Sequence, residues 1–177
     1  MPGMQTWEAI RSRRNIRSFQ EKPIADDHLN EVLEAGRRAP SARNWQPWDF
    51  IAVTDRDLLI RLAKAGPGAG PVAQSAASIA IIAPSLPDNA QAREHTRLWY
   101  DLGQVTMSML IAATGLGIGS GHAGIADQDL ARELLGFPAD RFCAFLIPIG
   151  YPAGRPLGLI RRPDRRAFDE VVHRDRW

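Results

Sequence analysis

The chain has 177 residues, enough for one ordinary domain to bury a core without staples. Hydrophobic residues make up 45% and charged residues 24%, which excludes a disordered chain; a formal net charge of +2 supplies no broad field for nucleic acid or a membrane surface. The single cysteine, Cys143, excludes an internal disulfide framework and fits a reducing, cytoplasmic location.

The amino terminus, Met1 to Arg14, is amphipathic and charged and lacks the apolar stretch of a secretory signal. Met4 to Arg13 predicts a short helix with Trp7, Ile10 and Met4 on one face. Asp26 to Arg38 predicts a second helix, its stripe formed by Leu29, Val32, Leu33 and Gly36, stopped by Pro40. Trp48 to Thr54 has the β-branched and aromatic content of a strand. Asp55 should cap a helix running to Lys64 and closed by Gly66. Gly66 to Pro71 is a loop by composition.

Ser78 to Ala83 is a continuous apolar run, as in a strand covered on both faces. After a loop over Pro84 to Asn89, Arg93 to Gly115 predicts the long central helix. The uncharged run from Val105 to Gly121 is shorter than the roughly 20 residues of a membrane span. Asp127 should cap a helix ending at Gly136. Phe142 to Tyr151 is the last strand, with Pro148 marking an edge or an ending. The arginine- and proline-rich tail from Pro152 to Trp177 is too poor in apolar residues to fold alone and must lie on its own body or on a partner. Helices and strands are interspersed without clean βαβ alternation. That pattern predicts an α+β chain, with a mixed sheet covered by helices, in one unit over residues 1–177.

Three clusters carry possible chemistry. Arg13, Arg14 and Arg17 stand within five residues and could grip a phosphate through guanidinium forks, although on composition alone they read first as a solvated basic turn. Ala39 to Trp48 sets polar hydrogen-bonders between prolines and tryptophans, either as a stiff ligand-facing loop or as a plain connector. Gly119, Gly121 and Gly124 spell G-x-G-x-x-G, but after a long helix and outside a βαβ unit, so a Rossmann dinucleotide site is rejected. What remains there is a glycine loop whose backbone can approach a flat ligand.

His28, His95, His122 and His173 are scattered, which predicts no metal site. Cys143, inside an apolar run, predicts an inert buried thiol. From Arg155 to Trp177 seven arginines are interrupted by four acids, a pattern suited to a few specific ionic contacts and not to nucleic acid or lipid.

The order and content of these segments resemble the nitroreductase family. Arg13-Arg14-Asn15-Ile16-Arg17-Ser18-Phe19 is similar to its R-R-S-x-R-x-F opening, with Asn15 where the family usually has serine. Ala39 to Trp48 matches A-P-S-x-x-N-x-Q-P-W. Asp101, Gly103, Leu110, Ala112 and Ala113 match its central-helix pattern, which runs into G-L-G. Gly150-Tyr151-Pro152 follows, and Arg165 to Val172 resembles R-R-P-L-D-E-V-V.

The resemblance implies a three-layer α/β/α sandwich around a mainly antiparallel sheet, with a C-terminal arm (152–177) wrapping the partner of a homodimer. It implies FMN as cofactor and NADH or NADPH as electron donor, serving small electron-poor acceptors such as nitroaromatics or quinones by ping-pong turnover. No protein side chain would be catalytic, since the flavin carries the chemistry. Arg13 and Arg165 would hold the FMN phosphate, with Arg14 and Asn15 along the ribityl chain and Arg17 at the pyrimidine edge of the ring. Pro40, Ser41 and Asn44 would reach the flavin of the other subunit, while Gly121, His122 and Ala123 would line the ring through backbone N–H groups. Reductive dehalogenation, a flavin-consuming reaction, or a non-catalytic FMN-binding module are the alternatives on the same fold.

Overall fold

The computed structural model describes residues 4–177, so the first three residues of the amphipathic terminus lie outside it. Its centre is an antiparallel sheet in the order β1 (Asp49–Val53), β2 (Ala77–Pro84), β5 (Arg141–Gly150), β3 (Gly119–Ser120), with β4 (Ala123–Gly124) also on β5. A parallel bridge between Asn15 and Ser120 makes the pairing mixed. Alternation along β2 builds two cores. Ile79 and Ile81 face α2 (Asp26–Arg37) and α4 (Ala92–Gly115), where Val32, Leu102, Val105 and Met109 are buried. Ala80 and Ile82 face the other layer, α3 (Arg56–Leu62) and α5 (Gln128–Leu135), which contributes Leu59, Leu62 and Ala131. Each fully buried leucine adds about 1.5–3 kcal/mol of transfer free energy, so the apolar stripes hold the layers together.

The helix ends follow local chemistry. Asp55 accepts from Leu58 N at 2.8 Å and Asp127 from Leu130 N at 2.9 Å, each satisfying an orphan donor of its first turn. Gly136 closes α5 in the left-handed conformation at φ 71°. Gln91 and Glu94 form a capping box on α4, where Gln91 N donates to the Glu94 carboxylate at 2.8 Å. Helix α3 stops at Leu62, short of Lys64, and single-turn bonds carry the chain to Gly66.

Three expectations are corrected. Helix α1 (Thr6–Ser12) buries Ala9 and Ser12, not its large apolar side chains; Trp7 is 67% exposed and Ile10 also faces outward. Pro148 lies in the sheet interior, between β2 and the β3/β4 edge. Its carbonyl accepts from Gly121 N at 3.1 Å, so its missing N–H also points toward Gly121. The ladder breaks there, and that break separates β3 from β4.

The glycine loop is filled by the chain itself. A methyl on Gly119 would stand 2.7 Å from Ile16 Cγ1, and one on Gly121 would stand 3.0 Å from the Ile16 carbonyl oxygen. Only Gly124 of the three has open space around it.

The tail splits in two. Its first part lies on its own body: Ala153 N donates to Ser18 O at 3.1 Å and Ile160 N to Arg11 O at 3.2 Å. From Arg161 onward every residue is exposed, including Phe168 and Val171 of the short α6 (Phe168–Val171) and Trp177. Among the described residues no helix is long and apolar enough to cross a membrane.

Candidate functional site

Beyond α1 the chain extends as a ribbon over the end of the sheet. Ile16 N donates to Ser120 O at 2.9 Å, Gln20 N donates to Tyr151 O at 2.8 Å, and Phe19 bridges Pro152. Ile16 and Phe19 are buried, while Asn15 and Arg17 point outward. Gly119 and Gly150 are small because Ile16 and Phe19 need their space; a methyl on Gly150 would meet Phe19 Cδ1 at 2.8 Å. Packing therefore aims the arginine segment.

The arginines do not behave as a solvated turn. Arg13 is half-buried; its guanidinium donates to Asn15 Oδ1 at 2.8 Å, but its Nε is buried without an acceptor. Burial, and then the neighbouring charge of Arg165, hold its pKa below the ordinary arginine value. Two like charges from opposite ends of the chain thus lie within each other's field. Among the described residues no ion pair involves Arg13, Arg14, Arg17 or Arg165. Ser12 Oγ, at the end of α1, and Ser120 Oγ, on the strand the ribbon pairs with, are also buried and unpartnered. Orphaned donors beside unpaired positive charge have the chemistry to hold an anion.

Arg14, which the resemblance sets along the ribityl chain, contacts the tail in this structure. It donates to the carbonyls of Arg155 and Pro156, to the latter at 3.0 Å, and so ties down the start of the tail. Arg17 lines two hollows, of about 120 and 270 Å³, on either side of the ribbon. The smaller one also holds Gly121, His122 and Pro148.

The backbone at Gly121 to Ala123 is only partly available. Gly121 donates to Pro148 and Ala123 pairs with Leu146, so both turn toward β5. Ladder alternation turns the intervening His122 outward, and its N–H has no acceptor among the described residues. The exposed His122 ring meets Phe145 edge-on at 6.1 Å. Pro148, which opens the ladder here, was legible in the sequence only as an edge signal.

The second cluster stands apart from the first. The fully buried Asp101 carboxylate accepts from Ala42 N at 3.1 and 3.2 Å, fixing a single turn at Ala42–Asn44. Gln104 Nε2 donates to Asp101 at 3.3 Å and to Pro40 O at 3.4 Å, and Ser41 Oγ accepts from Gln46 N at 2.8 Å. Arg43, Asn44 and Gln46 all hold positive φ, at 55°, 56° and 51°. Such conformations persist only where surroundings over-determine them, and they concentrate at ligand-binding loops.

Asp101→Ala removes the anchor of a buried N–H and is expected to cost about 2 kcal/mol in chemical denaturation, with faster amide exchange at Ala42; Asp101→Asn should recover part of both. Pro40, Ser41 and Asn44 do not share a hollow with Arg17 or His122 in one chain. The predicted residues thus fall into two separate clusters.

Cys143 is buried in the second core, and desolvation pushes its thiol up to about 12, which keeps it protonated. Among the described residues no group of three or more His, Cys, Asp and Glu side chains comes together.

Known proteins supply the rest of the comparison. An NADH dehydrogenase/NAD(P)H nitroreductase of Archaeoglobus fulgidus, so named provisionally, is 31% identical over 95% of this chain and 96% of its own. An NADPH-flavin oxidoreductase of Vibrio harveyi is 30% identical over 97% of this chain and 74% of its own. The structure of an FMN-dependent nitroreductase from Clostridium difficile superposes with a TM-score of 0.81 at 23% identity, covering 97% of this chain and 99% of that one, which shows the fold. The Nitroreductase family model matches residues 10–78 and 65–151. With that match and those relatives, the chain belongs to the nitroreductase family.

Proposed function

We propose that the protein is an FMN-dependent NAD(P)H oxidoreductase that reduces small electron-poor acceptors such as nitroaromatics or quinones. The observation that carries this reading is the half-buried Arg13, whose Nε is buried without an acceptor, which pairs with no carboxylate and lies within the field of Arg165. A phosphate dianion satisfies both needs at once. The donor set fits the rest of an FMN. Arg17 offers a cation for the ring edge that gains negative charge on reduction, and His122 offers an outward N–H in the same hollow.

Bound there, FMN supplies the two-electron chemistry between nicotinamide donor and acceptor, which then use the site in turn. The chain's own part is to hold the phosphate, orient the ring and leave one face accessible. Asn15, in the usual serine's place, keeps Arg13 extended by accepting from it.

The homodimer belongs to the same proposal. A hollow of about 120 Å³ cannot enclose a flavin, since ligand pockets run to about 300–1,000 Å³. A second copy supplies the missing wall through its strained Pro40, Ser41 and Asn44 loop. Tyr100 and Met107 on the uncovered side of α4, Trp7 and Ile10 on α1, and Phe168 and Trp177 on the arm provide apolar surface for that contact.

The test is direct. Purified protein should be yellow, sediment as a dimer, release FMN and not FAD on denaturation, and oxidise NADH or NADPH steadily with a nitroaromatic or quinone. A flavin-loaded protein without turnover would leave only an FMN-binding module, and a colourless monomer indifferent to added FMN would remove the reading altogether.

A further inference from the structure

Beside the cluster built on Ala42–Asn44 lies a hollow of about 440 Å³ lined by Ala42, Arg43, Trp45, Leu86, Glu94 and Arg97. Holding FMN gives it no task. Among the described residues neither Arg43 nor Arg97 makes an ion pair or a side-chain hydrogen bond. Glu94 shares the wall, but its carboxylate is engaged at Gln91 N in the capping box of α4. Trp45 is 42% exposed, although the adjoining Pro47 and Trp48 are buried. Arg43 is held at φ 55° and ψ 25°, a strained conformation for a branched-out guanidinium side chain, by the Asp101 anchor beneath the loop.

We propose that Arg43, Arg97 and Trp45 seat the 2′-phosphoadenosine end of NADPH and make the enzyme select NADPH over NADH. The inference rests on the oxidoreductase reading above and sharpens it by naming the donor. Two guanidiniums free of ion pairs, against the single Glu94 carboxylate held by a backbone N–H, leave the hollow net positive; a phosphomonoester, which carries about −1.5 to −2 at neutral pH, can use both forks, whereas one carboxylate needs only one. NADH presents a hydroxyl at the same place and leaves both cations unsatisfied. The flat, half-exposed Trp45 provides a stacking face for adenine, and Leu86 an apolar wall. The hollow adjoins Ser41 and Asn44, so a dinucleotide anchored there can extend along the loop toward the ring those residues border.

Calorimetric titration of the purified protein with 2′,5′-ADP and with 5′-AMP reads the seat without turnover. 2′,5′-ADP should bind at least tenfold more tightly, about the effect of one charge-assisted contact. Arg43→Asn, chosen because asparagine tolerates positive φ, and Arg97→Gln should each lose about tenfold in 2′,5′-ADP affinity. Each should also lower the ratio of kcat/KM for NADPH to that for NADH by a similar factor.

Equal binding of the two nucleotides, a wild-type preference for NADH, or an unchanged donor ratio in both variants overturns the proposal. So does a selective loss of 4-nitrobenzoate reduction relative to nitrobenzene with the donor ratio intact, which would assign the hollow to an acidic acceptor. Absence of FMN, or of oxidation of either donor, strikes the underlying function and not the seat, which the 2′,5′-ADP titration still measures.

Discussion

Arg13→Met is expected to weaken FMN retention about a hundredfold, the loss of roughly 2–3 kcal/mol of charge-assisted bonding to a phosphate. The same variant should leave the cofactor-free protein at least as stable as the wild type. The physical reason is the sign of the local field. Arg13 is half-buried, opposed by Arg165 and paired with no acid, so in the empty seat its charge is a liability. Methionine fills similar space without that charge.

Arg165→Ala should act in the same direction on FMN, more weakly because Arg165 is exposed on the tail. Dialysis against dilute buffer followed by flavin absorbance reads retention, and thermal melting with and without FMN reads stability. In the wild type added FMN should raise the melting temperature through binding to the folded state alone, and in Arg13→Met that rise should largely vanish at the same concentration. If Arg13→Met instead destabilises the empty protein and keeps its flavin, Arg13 is a structural residue and the anion seat is misassigned.

Gly119→Val is expected to cost about 3 kcal/mol and to lower the melting temperature by about 6–12 °C. Even the first added carbon would lie 2.7 Å from Ile16 Cγ1, 3.1 Å from Ile16 Cβ and 3.0 Å from Pro152 Cγ. These are a β-branched stem and a proline ring, neither of which can swing away. The strain should displace the ribbon carrying Asn15 and Arg17, so FMN retention should fall together with stability. Ile16→Ala in the Gly119→Val background should recover part of the loss, because the two substitutions act on one contact. Gly124→Ala, with nothing within 4 Å of the added methyl, should change little and serves as the control. Equal effects at Gly119 and Gly124 would show that the ribbon does not rest on β3.

Much of the fold was legible residue by residue. The stripe Leu29, Val32, Gly36 lies on the core side of α2, with Gly36 facing Met109 of α4 as close packing requires. Asp55, Asp127 and Gly136 cap the helices they were expected to cap. Ser78 to Ala83 is a strand buried on both faces. The two-residue strands β3 and β4 were not legible, since two residues carry no periodicity and a glycine segment reads as a loop. Pro148 was misread as an edge because a proline's missing donor says nothing about which neighbour it spares. The local geometry of the residues named by resemblance was not legible either: Arg14 holds the tail, and of Gly121, His122 and Ala123 only His122 turns its N–H outward.

The amino-acid sequence alone determined the kinds and order of the longer elements and the caps at Asp55, Asp127 and Gly136, because these depend on residues within a turn or two of one another. It also determined the family, through segments kept in the same order along the chain. Only the tertiary structure decided that Arg13 is half-buried within the field of Arg165, that Ile16 occupies the space above Gly119, and that Pro148 opens the sheet beside His122. Contacts such as Arg14 with Arg155, 141 residues apart, depend on how the sheet closes, and burial can turn a run of exposed charges into a seat for an anion only after that closure.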